Sequence, residues 1–210
     1  MREREVNHPQ MTVLFVESFL TVSEAEALFA SVQSLPWTRG KFMGRFVPRE
    51  EVWIGPYAYK FSGRTLEPGA WIPEIAAIRD RIRAQYGGDY NSVLLNRYAN
   101  AQDSVSWHSD DEPEMDSKHP IGSLSLGAAR AFLIKPVKPI KPIGPIGPIG
   151  PITNQAADKK TVQTFVLTSG SLLVMPPGFQ QRYQHSVPKS KTPCGPRVNL
   201  TFRRMKLNEG

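Results

Sequence analysis

The sequence predicts an α+β protein whose core is a β-sandwich or jelly roll. Helical patterns are confined to the first 90 residues of the 210-residue chain. From residue 91 onwards, short segments with an apolar residue at every second position follow one another, separated by turn residues. Helices followed by a run of antiparallel strands are typical of α+β proteins, and the length fits one domain.

The first elements are a strand and a helix. Residues 12–20, TVLFVESFL, are apolar and β-branched, which predicts a strand. Ser23 and Glu26 have the spacing of a capping box, so a helix is expected from there to Pro36.

A second helix is expected after an irregular segment. Residues 37–60 mix glycine, proline and aromatic residues without a period. Pro73 is suited to the first position of a helix, and Gly87 is suited to end it.

The remainder of the chain predicts antiparallel strands. In strands, residues at every second position share a face. The candidate strands are SVLLNRYA, IGSLSLG, RAFLIK, QTFVLT, SLLVM, RYQHSV and RVNLTFR.

Residues 138–152, KPIKPIGPIGPIGPI, form tandem triplets within a Pro/Gly-rich insertion at 136–160. Proline at every third position excludes a helix or a central strand, so the segment is expected to be polyproline-II-like or mobile. It is either a tolerated surface insertion between two strands or a basic flap near a polyanion.

Composition limits the class of protein. Lys and Arg total 26 against 19 Asp and Glu, a net charge of +7, which fits either a mildly basic surface or a polyanionic partner such as nucleic acid. No apolar run reaches the ~20 residues of a membrane span, and the charged N-terminus has no secretory signal pattern. The single cysteine, Cys194, excludes an internal disulfide and a cysteine-based zinc cage, which suits an intracellular location.

The segment WHSDDEP raises the question of a metal site. His108 and Asp110 are two residues apart and would share a face in a strand. For a third ligand the chain offers His8, in an N-terminus expected to fray, His119, in a segment expected to be a loop, and His185, in a late strand. Two histidines and one carboxylate form the facial triad of non-haem Fe(II) oxygenases. Taken alone, the H-x-D pair is a weak signal for a metal site, and a surface turn or a satisfied core histidine explains it more readily.

The last strand candidate suggests anion recognition. Its polar face would carry Arg197, Asn199, Thr201 and Arg203, and its other face apolar residues. A row of guanidinium groups suits carboxylate or phosphate, and Asn96 and Tyr98 of LNRY offer neutral hydrogen-bonding groups. The alternative is that both strands have polar, half-exposed outer faces.

Several of these segments together resemble the AlkB family of 2-oxoglutarate- and Fe(II)-dependent dioxygenases, closest to members that repair alkylated nucleic-acid bases. They are LNRYANAQDSVSWHSDDEP, PIGSLSLGAARAF, SLLVM, QHSVP and PRVNLTFR, with VPRE, YAYKFSGRTL and WIPEI upstream. The similarity covers roughly residues 37–204. It implies a double-stranded β-helix (jelly-roll) core at 91–210, with residues 1–90 as a helical and nucleotide-recognition extension packed against it, in one structural domain.

The resemblance also implies roles for individual residues. The iron ligands would be His108, Asp110 and His185. The contacts to the cosubstrate 2-oxoglutarate would be Asn96, Tyr98, Arg197, Asn199 and Arg203. The substrate contacts would be Glu112, Phe61, Tyr59, Arg49 and Phe42: Glu112 at the damaged base, Phe61 and the His185 ring stacking it, Tyr59 lining its pocket, Arg49 on DNA, and Phe42 as the apolar finger that fills the gap left by a flipped base.

The implied activity is oxidative demethylation of 1-methyladenine and 3-methylcytosine in DNA, with RNA as a further candidate. Fe(II) and O2 would oxidise the methyl group, 2-oxoglutarate would be decarboxylated, and formaldehyde would be released. The alternatives are the same chemistry on RNA or protein, or a cupin-like nucleic-acid-binding module without turnover. The expected state is a monomer without membrane contact, cytoplasmic in a bacterium or nuclear in a eukaryote.

Overall fold

The structure, a computed structural model, describes residues 3–8, 11–61, 63–137 and 162–207. Its helices are α1 (Val22–Val32), α2 (Pro73–Tyr86) and α3 (Phe179–Arg182). Its strands are β1 (Glu3–His8), β2 (Met11–Val16), β3 (Lys41–Phe42), β4 (Arg45–Phe46), β5 (Glu50–Ile54), β6 (Tyr59–Phe61), β7 (Arg64–Leu66), β8 (Ser92–Tyr98), β9 (Val105–His108), β10 (Ile121–Gly127), β11 (Arg130–Pro136), β12 (Gln163–Leu167), β13 (Leu172–Met175), β14 (Tyr183–Val187) and β15 (Arg197–Arg203).

Two antiparallel sheets form the core. The large sheet has the order β1-β2-β13-β10-β15-β8-β5, and the small sheet has the order β12-β11-β14-β9. Strands distant in sequence are neighbours in both sheets, as in a jelly roll. Two hairpins, β3-β4 and β6-β7, lie outside these sheets.

Alternation along the strands of the large sheet creates two apolar layers. On β8, Leu94 packs in the layer between the sheets with Phe165, whereas Leu95 packs with Leu28 of α1 and Ile82 of α2. Burying a leucine in this way contributes about 1.5–3 kcal/mol. The helices therefore cover one face of the large sheet and leave its other face to the small sheet.

The start of α1 differs from the sequence prediction. Thr21, not Ser23, is the N-cap: its Oγ1 accepts from the Glu24 backbone N–H at 3.2 Å, and the Glu24 carboxylate accepts from the Thr21 N–H at 2.7 Å. Both pairs have capping-box spacing, and the extended backbone of Thr21 decides between them. The second helix begins at Pro73 and ends before Gly87, whose φ is 77°, as predicted.

Two segments are more regular than the sequence predicted. Residues 37–60 contain β5, which pairs with β8 at the edge of the large sheet. The N-terminus does not fray over residues 3–8, which form β1 and pair with β2.

The triplet segment, residues 138–152, lies outside the described residues. β11 ends at Pro136 before the segment, and β12 begins at Gln163 after it. Among the described helices, none is long and apolar enough to cross a membrane.

Candidate active site

The small sheet brings the three predicted metal ligands together. β9 and β14 are neighbours, and His108 lies directly opposite His185. Asp110 follows two residues after His108, with its carboxylate oxygens 3.8 Å from His108 Nε2 and 3.9 Å from His185 Nε2. The ligand atoms of all three residues lie within 4.8 Å of one another. His119 contacts Asp116 instead and is not part of this cluster.

The protonation states of the cluster suit a divalent cation. His108 Nδ1 lies 2.8 Å from the Ser106 carbonyl oxygen, which can only accept, so Nδ1 carries the proton and Nε2 presents its lone pair. Burial, and then the adjacent His108 ring, lower the pKa of His185 to about 3, so this ring is neutral at pH 7. Two imidazoles and a carboxylate fit Fe(II) and leave coordination positions for other ligands.

Asp110 is held ionised and in place by two neighbours. Burial raises the pKa of its carboxyl, but the Arg203 guanidinium at 2.7 Å, together with the His185 and His108 rings, outweighs burial and lowers the pKa to about 2. Arg203 also donates to the Tyr59 hydroxyl at 3.0 Å. The Asp110 backbone N–H donates to Gln180 Oε1 of α3 at 3.0 Å, a contact that the sequence did not reveal because FQQR has no motif.

Arg197 is a buried cation with unused hydrogen-bond donors. Its Nη2 donates to Ser125 Oγ at 2.8 Å and to Asn199 Oδ1 at 2.7 Å. Its Nε and Nη1 have no hydrogen-bond partner among the described residues, although the side chain is only 1% exposed. Burial lowers its pKa to about 10, which leaves it charged at neutral pH. A buried guanidinium with two free donors fits a carboxylate ligand such as that of 2-oxoglutarate.

One cavity of about 440 Å³ connects these groups. All predicted site residues line it except Phe61, whose side chain lies outside the described part of the structure. The polar face of β15 therefore points into the cavity between the sheets and is not a solvated outer face.

The substrate side of the cavity has a buried acid and an exposed hairpin. Glu112 Oε2 is buried and has no hydrogen-bond partner within the described residues. Phe42, on the β3-β4 hairpin, lines the cavity and is 50% exposed. Tyr59 is 1% exposed and stacks on Trp53 at 4.5 Å between ring centroids, so it forms the floor of the cavity.

The His185 ring, which the resemblance implied would stack the base, is already in contact with another ring. Phe132 already lies against the His185 ring, with 5.2 Å between centroids and 23° between planes, and His185 is 5% exposed. The cause is the order of the strands. β14 lies between β11, which carries Phe132, and β9, whereas β9 is at the edge of the sheet. Of the two histidine rings, that of His108 is the more accessible, with 36% of its side chain exposed.

Arg49, which the resemblance implied would contact DNA, is held by two side chains of the large sheet. Its Nη2 lies 2.8 Å from a carboxylate oxygen of Glu51, which is 0% exposed, and its Nε donates to Asn96 Oδ1 at 2.9 Å. The Arg49 side chain is 13% exposed.

Comparison with known proteins agrees with this site. A family model described as the 2OG-Fe(II) oxygenase superfamily matches residues 12–203. The chain is 34% identical over 197 residues to "Alpha-ketoglutarate-dependent dioxygenase alkB homolog 3" of Homo sapiens, covering 91% of this chain and 65% of that protein. It is 36% identical over 165 residues to "DNA oxidative demethylase ALKBH2" of Homo sapiens, covering 78% of this chain and 59% of that protein. The chain thus spans less than two thirds of the length of these relatives.

A solved structure shares the fold. "The structure of OsALKBH1" superimposes with a TM-score of 0.60 at 16% sequence identity, covering 97% of this chain and all of that chain. This likeness confirms the predicted α+β double-stranded β-helix. The cofactor, cosubstrate and oxidant of this class of enzyme are Fe(II), 2-oxoglutarate and O2. The chain belongs to the 2OG-Fe(II) oxygenase superfamily and, within it, to the AlkB family.

Proposed function

We propose that the protein oxidatively demethylates N-alkylated bases, 1-methyladenine and 3-methylcytosine, in DNA. The observation that carries this proposal is one cavity with three features. It contains a buried His-Asp-His cluster, and it also contains an arginine and a glutamate with buried polar atoms that lack partners among the described residues. The names of the relatives, which include DNA oxidative demethylases, support the choice of substrate.

The chain would hold the cosubstrate by its two ends. Arg197 offers Nε and Nη1 to the distal carboxylate, which would satisfy both donors and neutralise the buried charge. Asn96, Tyr98 and Asn199 line the same part of the cavity and supply further hydrogen bonds. With its distal carboxylate at Arg197, 2-oxoglutarate would direct its keto acid end towards His108, Asp110 and His185.

His108, Asp110 and His185 would hold Fe(II), which supplies the activation of O2 when it is bound. Arg203 keeps Asp110 ionised and fixes the direction of its carboxylate. One oxygen atom of O2 enters the N-methyl group and the other enters succinate, with release of CO2. The hydroxymethyl group then leaves as formaldehyde and restores the base.

Glu112 would select the damaged base. Methylation at N1 of adenine or N3 of cytosine leaves a cation, and a carboxylate in a partly dry pocket attracts that cation more than the neutral normal base. The exposed ring face of His108 would stack the base, with Phe61 as the second ring that the family resemblance implies. A base must leave the helical stack to reach this depth.

The β3-β4 hairpin is the proposed DNA contact. Met43 and Gly44 have φ of 49° and 77°, as in the tight turns that join two adjacent strands. The turn holds Phe42 and Met43 exposed, beside the basic residues Lys41 and Arg45. The predicted ligands of iron and 2-oxoglutarate converge within a single chain, and we propose that the protein acts as a monomer.

The direct test measures succinate and formaldehyde with Fe(II), 2-oxoglutarate and an oligonucleotide that contains one 1-methyladenine. We expect equal amounts of both products, little of either with the unmethylated oligonucleotide, and none with Asp110→Ala. The matched RNA oligonucleotide separates DNA from RNA substrates. Binding of the methylated oligonucleotide without any succinate would contradict the proposal and indicate a binding module.

A further inference from the structure

A row of buried polar residues crosses the large sheet at one level. Glu51 of β5 lies opposite Asn96 of β8, Asn96 opposite Asn199 of β15, and Asn199 opposite Ser125 of β10. Residues directly opposite each other in antiparallel strands share a face. The two middle members, Asn96 and Asn199, line the cavity where 2-oxoglutarate is proposed to bind.

Arg49 occupies one end of this row and fixes the direction of the Asn96 amide. An arginine side chain can only donate, so the Asn96 atom at 2.9 Å from Arg49 Nε is the amide oxygen. The amide nitrogen is therefore turned away from Arg49. Within the part of the chain that the structure describes, this Nδ2 has no hydrogen-bond partner and remains free to donate to a ligand in the cavity.

Glu51 in turn fixes Arg49. Its carboxylate is fully buried and lies 2.8 Å from Arg49 Nη2, so the guanidinium is tied at two of its nitrogens. A cation paired with a buried carboxylate attracts a phosphate less than a free one, because its charge is already balanced. Arg45 of the β3-β4 hairpin is exposed and offers a better phosphate contact.

We propose that Arg49 is a positioning residue for 2-oxoglutarate, which acts through Asn96 and is held by Glu51, and that it is not a DNA phosphate contact. With Arg49 in place, Asn96 presents a donor to a carboxylate. Without it, the amide can turn and present its oxygen, which repels a carboxylate. This inference rests on the 2-oxoglutarate site of the proposed function and is independent of the nucleic acid substrate.

The test measures cosubstrate binding to the Mn(II)-loaded protein by titration calorimetry, without DNA or turnover. Arg49→Lys keeps the charge beside Glu51, and Arg49→Gln removes it, but both lose the bond to Asn96. We expect both variants to bind 2-oxoglutarate about tenfold more weakly, the usual effect of losing one hydrogen bond to a charged group. DNA affinity at fixed salt should change less than about twofold.

Two comparisons make the result decisive. Arg45→Gln is the matched control and should show the reverse, weaker DNA binding with unchanged 2-oxoglutarate binding. Adding Arg49→Lys to Asn96→Ala should weaken 2-oxoglutarate binding no further than Asn96→Ala alone, because Arg49 acts through that residue. Unchanged 2-oxoglutarate affinity in both Arg49 variants, or fully additive effects in the double variant, would overturn the proposal. The slope of the logarithm of DNA affinity against the logarithm of salt concentration provides a further check. A decrease of about one in the magnitude of this slope in Arg49→Gln would also overturn the proposal, because it indicates a lost phosphate contact.

Discussion

At the scale of single residues, two arginines on the same face of β15 differ in whether a carboxylate balances their charge. Arg203 is paired with Asp110 at 2.7 Å, whereas Arg197 has no carboxylate partner among the described residues. A fully buried charge without a partner destabilises a fold unless a ligand completes it. The pairing therefore separates the arginine that supports the metal ligand from the one that is left for the cosubstrate.

Arg197→Ala should sharply raise the apparent Michaelis constant for the cosubstrate, because the variant leaves a carboxylate without its bidentate partner. The expected loss is about 2–3 kcal/mol, or roughly 30- to 150-fold. In addition, 2-oxoglutarate should raise the melting temperature of the Mn(II)-loaded wild-type protein but not that of the variant. Equal Michaelis constants in the two proteins would remove Arg197 from the cosubstrate site.

Glu112→Gln should affect lesions according to their charge. Demethylation of cationic 1-methyladenine and 3-methylcytosine should fall more than that of neutral 3-methylthymine, since only the cations lose an ionic partner. The measurement compares the three lesions in one oligonucleotide context at fixed salt. Stacking on His108, as proposed, would be independent of the charge of the base and would give no such discrimination. A uniform loss on all three lesions would show that Glu112 does not act through charge.

At the scale of elements, the sequence predicts strands well and their spatial order poorly. The alternation in RVNLTFR predicts the two faces of β15, and β10–β15 all lie where period-two segments were expected. β5 was missed because EEVWI is buried on both faces, so its residues do not alternate. No pattern in the sequence predicts that β14 lies next to β11. This neighbour relation places Phe132 of β11 against the His185 ring.

Some residues of the site could likewise be predicted from the sequence, and others could not. The spacing of His108 and Asp110 suggested a metal site only together with the family resemblance, whereas the alternation of β15 predicted the face of Arg197. Gln180 could not be found, because its contact with Asp110 depends on where α3 packs. The inward direction of Arg49 depends on Glu51, a buried acid that the sequence does not distinguish from an exposed one.

The start of α1 can be tested with a matched pair of variants. Thr21→Ala removes the side chain that caps the Glu24 backbone N–H and should lower the free energy of unfolding by about 1 kcal/mol. Ser23→Ala should have a much smaller effect, because Ser23 is not the N-cap. Urea denaturation of both variants measures the difference. A larger loss in Ser23→Ala would contradict the assigned capping box.

At the scale of the whole molecule, the reaction centre is divided between the two sheets. The histidines proposed to bind the metal lie on β9 and β14 of the small sheet, and the residues proposed to bind the cosubstrate lie on β8 and β15 of the large sheet. The helices pack on the far face of the large sheet and leave the inner face for the cavity. The packing of one sheet on the other therefore sets the distance between the proposed metal ligands and the proposed cosubstrate residues.

The net charge of +7 and the basic hairpin predict salt-dependent DNA binding. The logarithm of affinity should fall linearly with the logarithm of salt concentration, because bound phosphates release counterions. Fluorescence anisotropy with a labelled oligonucleotide between about 50 and 200 mM salt measures the slope. An affinity that does not change over this range would exclude phosphate contacts as the main source of binding.

One cavity should hold metal and cosubstrate together, and a crystal structure with Mn(II) and 2-oxoglutarate tests this directly. We expect the ion about 2 Å from Nε2 of both His108 and His185 and from an Asp110 oxygen. The distal carboxylate of 2-oxoglutarate should accept hydrogen bonds from Nε and Nη1 of Arg197. An ion bound at His119, or a cosubstrate carboxylate that does not contact Arg197, would contradict the proposed site.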